Sequence, residues 1–387
     1  MERILSIRDD VLRAMDPLPG EEVTLADARG RYLASEAFAR LASPPYACSA
    51  MDGFAVRSGE AGKGSSLRVV ETLFAGDEAT RPLGPGEAAR IFTGAPLPEG
   101  ADAVVMQEVV RVEAGLAYAE LAVASGQNVR RQGEDLAAGV LALEAGTRLG
   151  ARQLALLAAV GVDRVAVRRR PRVAVVSTGE EIVRGRVRDS NGPAVAGVLR
   201  AAGASVSTRA VGDRQDALVA SLREALDGAD AVVTIGGVSV GDRDLVPPAV
   251  SAIGAERRLH GVPMKPGKPF LFALAGAKPI LGLPGSPSAC LVALEVFGRP
   301  AILRLAGARR TARRTLTLPL GAPFANKPGR AHFVWSRIEE GRALPLGRDS
   351  AQVRGPALAD ALLRIPEAAA DLPAGAEVEA WLLDDDA

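Results

Sequence analysis

The 387-residue chain is 48% hydrophobic and 24% charged, with a formal net charge of +1; it is too long for one ordinary core, so two to four domains are expected. Near-neutral charge gives nucleic acid and membrane surfaces no electrostatic hold on it, and no apolar run is long enough to span a bilayer. Two cysteines (Cys48, Cys290) and two histidines (His260, His332) exclude a disulfide framework, a cysteine zinc motif and a multi-histidine metal centre.

In chain order, the first ten residues lack a signal-peptide apolar stretch, so a cytoplasmic protein is expected. Ile4, Ile7, Leu12 and Met15 are spaced like one face of an amphipathic helix over residues 2–15, closed by Pro17 and Pro19. Residues 21–37 read as a short strand followed by a helix containing Ala26 to Tyr32. In residues 43–56, Pro44 and Pro45 keep the chain extended and Asp52-Gly53 turns it into an apolar strand. That stretch reads either as a domain-crossing linker or as a loop presenting the Asp52 carboxylate.

Residues 57–138 alternate short β-like runs with Gly/Pro turns and predict an all-β insertion. Two polar segments interrupt it, Thr93-Gly94-Ala95-Pro96 and Asn128-Val129-Arg130-Arg131-Gln132-Gly133-Glu134-Asp135. The second has the composition of a solvated salt-bridge cluster. Leu154, Leu157 and Ala158 predict a helix over 150–161, and Arg168-Arg169-Arg170-Pro171 marks a boundary.

From Arg172 the pattern becomes strand–helix alternation: strands at 173–176, 206–211, 231–234, 270–272 and 279–281, helices at 190–199, 216–226 and 288–305, with Ser190-Asn191 as a helix cap. The loops Ser177-Thr178-Gly179-Glu180-Glu181, Gly212-Asp213, Gly236-Gly237-Val238-Ser239-Val240-Gly241-Asp242-Arg243-Asp244 and Gly282-Leu283-Pro284-Gly285-Ser286-Pro287 all fall at carboxyl ends of strands. Open α/β sheets bind ligands there. Paired glycines let backbone N–H groups approach an anion with no Cβ in the way. After about Arg309 short strands return, which predicts a small β-domain with an acidic tail.

Taken together these segments, with Ser49-Ala50-Met51-Asp52-Gly53-Phe54-Ala55-Val56, Ile91-Phe92-Thr93-Gly94-Ala95-Pro96 and Met264-Lys265-Pro266-Gly267-Lys268-Pro269, resemble the MoeA family of molybdopterin molybdenumtransferases, which includes the E domain of gephyrin. The motifs occur in the family's order and span nearly the whole chain. The resemblance implies a multidomain α/β plus β fold. Residues 1–20, 38–47 and 139–170 would form a composite linker and dimerisation domain, and 21–37 with 48–138 a β-rich insertion. Residues 171–308 would form a three-layer α/β domain that binds molybdopterin, and 309–387 a small C-terminal β-barrel.

The implied reaction inserts molybdate into adenylylated molybdopterin with release of AMP and dependence on Mg²⁺. The implied assembly is a homodimer with shared active sites; molybdopterin adenylyltransferase and molybdoenzymes are possible partners. Asp52, Asp244, Lys265 and Glu181 would be catalytic, with Asp242 and Asp244 toward the metal. Thr93, Arg130, Asp213, Gly236, Gly237, Ser239, Lys268, Pro284, Ser286, Pro287 and Ser350 would bind substrate. The residue types suit this chemistry: lysines supply charge for phosphate or molybdate, and Mg²⁺ commonly takes one or two carboxylates plus phosphate oxygens and water.

Four positions depart from the pattern. Phe54 stands for the family's frequent Tyr, Gly261 for a basic residue, Trp335 for an Arg, and residues 349–355 follow a glycine- and serine-rich segment only loosely. A tetrahedral dianion needs charged donors, so Arg337, Arg257 or Arg258 would be the substitutes. Three other readings are an adenylyl transferase acting on molybdopterin, a non-catalytic cofactor-binding paralogue or scaffold, and a tungstate-preferring insertase. The β-insertion and Asp52 argue against the first, and Asp52, Asp244 and Lys265 against the second.

Overall fold

The computed structural model describes residues 3–239, 241, 244–347 and 350–383. Among them, no helix is long and apolar enough to cross a membrane. The first helix, Arg3–Arg13, buries Ile4 and Val11 in the largest core, with Val175, Phe297 and Trp381.

Strand Gly20–Thr24 pairs antiparallel with Arg164–Arg168. This corrects the expected grouping of 21–37 with the β-rich insertion. Ala28, Leu33 and Ala37 are buried against Leu149, Leu157, Val165 and Val167, so the segment belongs with the composite linker unit. The helix expected over Ala26 to Tyr32 is only a 3-10 turn, Leu25–Asp27. The backbone there spends its hydrogen bonds across the chain instead, from Gly30 to Leu149, Leu33 to Thr147 and Ala34 to Ala166. Gly30, at φ +74°, breaks the helical path.

The β-rich insertion is a sheet ordered Ala103–Met106, Gly53–Val56, Glu87–Ile91, Ser66–Leu73, Leu116–Ala119, Val110–Glu113. Phe54, Val56, Leu67, Ala88 and Val105 fill one side of it. The Phe54 ring is almost fully buried, so a missing tyrosine hydroxyl takes nothing from the packing.

The α/β unit has sheet order Ser205–Val211, Arg172–Thr178, Ala231–Ile235, Lys278–Leu283, Leu271–Ala275, Glu256–His260. The first four strands are parallel, and the last two pairings are antiparallel, so that Leu271–Ala275 alone of the six runs the other way. Alternation along Arg172–Thr178 divides the layers. Val173 and Val175 face helix Asn191–Ala201 and the C-terminal helical run, while Ala174 and Val176 face helices Gln215–Gly228 and Val246–Ala252. The edge strand Glu256–His260 carries Glu256, Arg257 and Arg258, with no apolar run to announce it. The expected single helix 288–305 is Pro287–Ala293, a π-turn over Leu294–Gly298, and Arg299–Leu305. The π-turn carries the buried Glu295, which Arg313 clasps through two hydrogen bonds of 3.0 and 3.2 Å.

The C-terminal sheet is ordered Met264–Lys265, Ala331–Glu339, Ala361–Ile365, Glu377–Leu382, Thr315–Pro319, with Arg342–Pro345 paired to Ala331–Glu339. Its first strand comes from the α/β unit, with Lys265 opposite His332.

Candidate functional site

Four parallel strands end together at Thr178, Val211, Ile235 and Leu283. The Thr178 hydroxyl donates to the Ile235 carbonyl at 3.1 Å. The Gly236 N–H donates to the Leu283 carbonyl at 2.9 Å, and Val246 N–H to Gly237 at 2.9 Å. Gly236 and Gly237 adopt φ of +85° and +62°, and a Cβ on Gly236 would lie 2.9 Å from the Thr178 hydroxyl. Glycine is therefore required there by conformation and by space. The exposed Ser239 follows, and Asp244 is held by the Gly241 N–H at 2.7 Å. Asp242 lies outside the described residues.

The loop after Leu283 is anchored by Asn191, whose amide donates to the Gly285 carbonyl at 2.8 Å. Pro284 is buried, Pro287 half-buried and Ser286 exposed. The Ser288 N–H donates to the Ser350 carbonyl at 3.0 Å, so a C-terminal loop meets this one. The Trp335 indole N–H donates to the Ser288 hydroxyl at 2.9 Å, and both residues are buried. Trp335 thus seals the seam between the α/β and C-terminal units where a basic side chain was expected. Arg337 does not take over that place: it is exposed and paired with Glu339 at 3.0 Å. Arg257 and Arg258 sit exposed on the edge strand, Arg258 engaged with Glu256 at 2.7 Å.

Lys265 and Lys268 are exposed on a loop closed by the Val262 N–H, which donates to the Lys268 carbonyl at 2.8 Å. Gly267, at φ +100°, lets that loop pack on the Met264 methyl group. Gly261, at φ +85°, donates its N–H to Phe270 and begins the turn.

The acids divide. Glu181 is exposed, and its carboxylate folds back over Gly179, 2.6 Å from where a Cβ would stand. Asp213 accepts the Glu180 N–H at 3.3 Å, tying two strand-end loops, while Glu180 itself pairs with Arg184 at 2.6 Å. Ser190 makes no side-chain cap bond. Asp189 does that work, accepting the Gly192 N–H at 2.8 Å and the Ser177 hydroxyl at 2.6 Å. Sequence reasoning passed over Asp189; an acid directly before Ser190-Asn191 was the available signal. Among the described residues, no three His, Cys, Asp or Glu side chains gather to hold a metal ion.

Asp52, Thr93 and Arg130 meet in a second loop group, in the insertion. Asp52 Oδ1 accepts both the N–H and the hydroxyl of Thr93 at 2.8 Å. These donors, the backbone N–H first, hold its carboxyl below the usual range. Strand Val129–Arg130 pairs with Cys48–Ser49, and Arg130 is exposed beside Glu134 at 3.4 Å. Burial pushes the Cys48 thiol up against the opposing pull of Arg130. Among the described residues, no side-chain hydrogen bond of Asp52, Thr93 or Arg130 reaches the strand-end loops of the α/β unit.

Residues 3–161 match the MoeA N-terminal region (domains I and II), residues 174–304 a probable molybdopterin binding domain, and residues 317–383 the MoeA C-terminal region (domain IV). The chain is 40% identical over 303 residues to a molybdopterin molybdenumtransferase of Nostoc sp., covering 74% of this chain and 70% of that one. It is 30% identical over 396 residues to one of Staphylococcus aureus, covering 97% and 94%. A solved molybdopterin biosynthesis MoeA protein of Pyrococcus horikoshii is similar at a TM-score of 0.82 and 32% identity, over 98% of each chain.

Proposed function

We propose that this chain, which belongs to the MoeA family of molybdopterin molybdenumtransferases and is a transferase of molybdenum cofactor biosynthesis, inserts molybdate into adenylylated molybdopterin at the strand-end loops of its α/β unit. Water attacks the bond between the two phosphates and AMP leaves with one of them, while the two dithiolene sulfurs bind molybdate and displace oxygen from it as water. The observation that carries this reading is the convergence of the Gly236-Gly237 turn, the Pro284–Pro287 loop and Ser350 at one end of a parallel sheet.

Each residue has work that its chemistry suits. Gly236, Gly237 and Ser239 offer a turn that a phosphate or pterin can approach closely. Lys265 and Lys268, exposed on a short closed loop, supply positive charge for the phosphates and for molybdate. Ser286 and Ser350 can donate to the bound anion, and Pro284 and Pro287 stiffen the loop that carries Ser286.

The donor set also suits Mg²⁺. Mg²⁺ commonly takes one or two protein carboxylates and completes its shell with substrate phosphates and water. Asp244 is anchored through one oxygen only among the described residues; it would hold the ion, with Asp242 beside it in sequence and Glu181 and Asp213 on the neighbouring loops. Such an ion would offset the charge that develops on phosphate oxygens as AMP departs.

Asp52, Thr93 and Arg130 act in this reading on the α/β unit of a second copy, in a homodimer with shared sites. Support comes from their meeting in one loop group, where among the described residues none of their side-chain hydrogen bonds reaches the strand-end loops of the same chain.

The test incubates the protein with adenylylated molybdopterin, Mg²⁺ and graded molybdate, and quantifies AMP. Release should rise with molybdate and be lost in Asp244→Ala. Substrate that binds but yields no AMP at any molybdate concentration would overturn the proposal.

A further inference from the structure

The insertion holds an unusual run of rings beside Asp52. The Phe54 ring lies buried on strand Gly53–Val56. The Arg90 guanidinium sits over it, 4.8 Å from its centroid, and 5.1 Å from the centroid of Phe92. Phe92 in turn stacks on Phe74, with centroids 4.6 Å apart and planes within 11°. The series Phe54–Arg90–Phe92–Phe74 therefore begins in the core and ends on a ring that is 53% exposed.

Leaving half of a phenylalanine in water forgoes the gain of burying it, yet Phe74 is held firmly. Its N–H donates to the Asp77 carboxylate at 2.7 Å, and its carbonyl accepts the Asp77 N–H at 3.1 Å. The loop also lies directly against the site. Phe92 adjoins Thr93, and the Ala75 methyl is 3.5 Å from where a Cβ on Gly94 would stand. The rigid exposed ring is thus fixed to the same turn that holds Asp52.

We propose that Phe74 is a stacking platform for the adenine ring of the adenylylated substrate, a role that rests on the reading above. One face of the ring is taken by Phe92, and a flat heteroaromatic base can lie on its exposed part. Ionised Asp52 next door repels phosphate but tolerates an uncharged base. Arg130, exposed in the same loop group, supplies the charge that the adjoining phosphate needs. The pterin is the substrate's other flat ring, and it is bound to the dithiolene that the strand-end loops must hold. The adenine therefore falls to the insertion, and Phe74 tethers the leaving group rather than the metal acceptor.

The experiment uses the full chain with Phe74→Ala and Phe74→Trp. Because Phe74 is half exposed, neither change opens a core cavity. AMP binding is measured by calorimetry, a phosphate-free pterin is run in parallel, and AMP release is followed at saturating molybdate. Phe74→Ala should weaken AMP and raise the KM for adenylylated molybdopterin about tenfold, as loss of a base-stacking ring does, with kcat retained. Phe74→Trp should restore both, and its added indole emission should be quenched by AMP. Unchanged AMP affinity in Phe74→Ala overturns the proposal, and so does weakened pterin binding with intact AMP binding. If the unmodified protein releases no AMP, the reading of the site fails instead; direct AMP binding then still decides for or against the platform.

Discussion

Replacing Arg313 by Met tests what locks the C-terminal unit onto the α/β unit. Arg313 donates to both Glu295 oxygens, and the two side chains are 3% and 6% exposed. A third donor, Nη1, reaches the Leu383 carbonyl at 3.0 Å. Unit charges about 3 Å apart attract by roughly 5 kcal/mol at an effective dielectric near 20. Breaking such a pair on one side leaves a buried charge without compensation and typically costs about 3–5 kcal/mol. Arg313→Met and Glu295→Leu should each destabilise on that scale, whereas the double variant should recover most of the loss, because removing both charges also removes both desolvation penalties. The chain's two tryptophans, Trp335 and Trp381, are in the C-terminal sheet, so their fluorescence in a urea titration follows this unit, and the midpoint shift gives the energy. The chain is multidomain, so the shift is assigned to that transition and not to global unfolding. Single variants within about 1 kcal/mol of the parent, or a double variant as weak as the singles, would refute the reasoning.

The Asp52 carboxyl is depressed by Thr93 donors, so its charged form is favoured by folding; that contribution is present above the ordinary carboxylate pKa and is lost as pH falls through the folded value. Thr93→Val removes the hydroxyl and keeps the stronger backbone donor, so the acid limb of kcat/KM should move partway to higher pH, with ionisation at neutral pH unchanged; a pH–rate profile whose acid limb stays put would sink this account. Gly236→Ala forces a Cβ to φ +85° and to 2.9 Å from the Thr178 hydroxyl, a local strain of about 1–3 kcal/mol. Equilibrium binding of adenylylated molybdopterin should weaken while the unfolding midpoint of the C-terminal unit holds; undiminished binding would show that the turn does not meet the substrate.

Sequence by itself determined those parts of the molecule that obey local rules. Apolar runs such as Val173-Ala174-Val175-Val176 and Ala231-Val232-Val233 dictate buried parallel strands because both of their faces must leave water. Glycines and prolines after the strands then mark the strand-end loops, so the turns at Gly236-Gly237 and Pro284–Pro287 were legible from the chain. Strand Glu256–His260 was not, since its register comes from pairing with Leu271–Ala275 and its own residues are mostly charged. Residues 21–37 were misassigned because only the distant partners at Arg164–Arg168 and Leu149 determine where they pack. Trp335 could be named as a departure from sequence, but its consequence is tertiary: an indole N–H reaches Ser288 across a domain seam and seals it. Arg337 is a substitute by strand periodicity, yet it emerges into solvent and pairs with Glu339 of its own strand. The Phe54–Arg90–Phe92–Phe74 ladder likewise has no local signature, because Phe54, the Arg90–Phe92 run and Phe74 come from three different strands or their ends. Short-range chemistry writes elements and turns into the sequence, whereas pairing, burial and the meeting of side chains from distant segments exist only once the chain has folded.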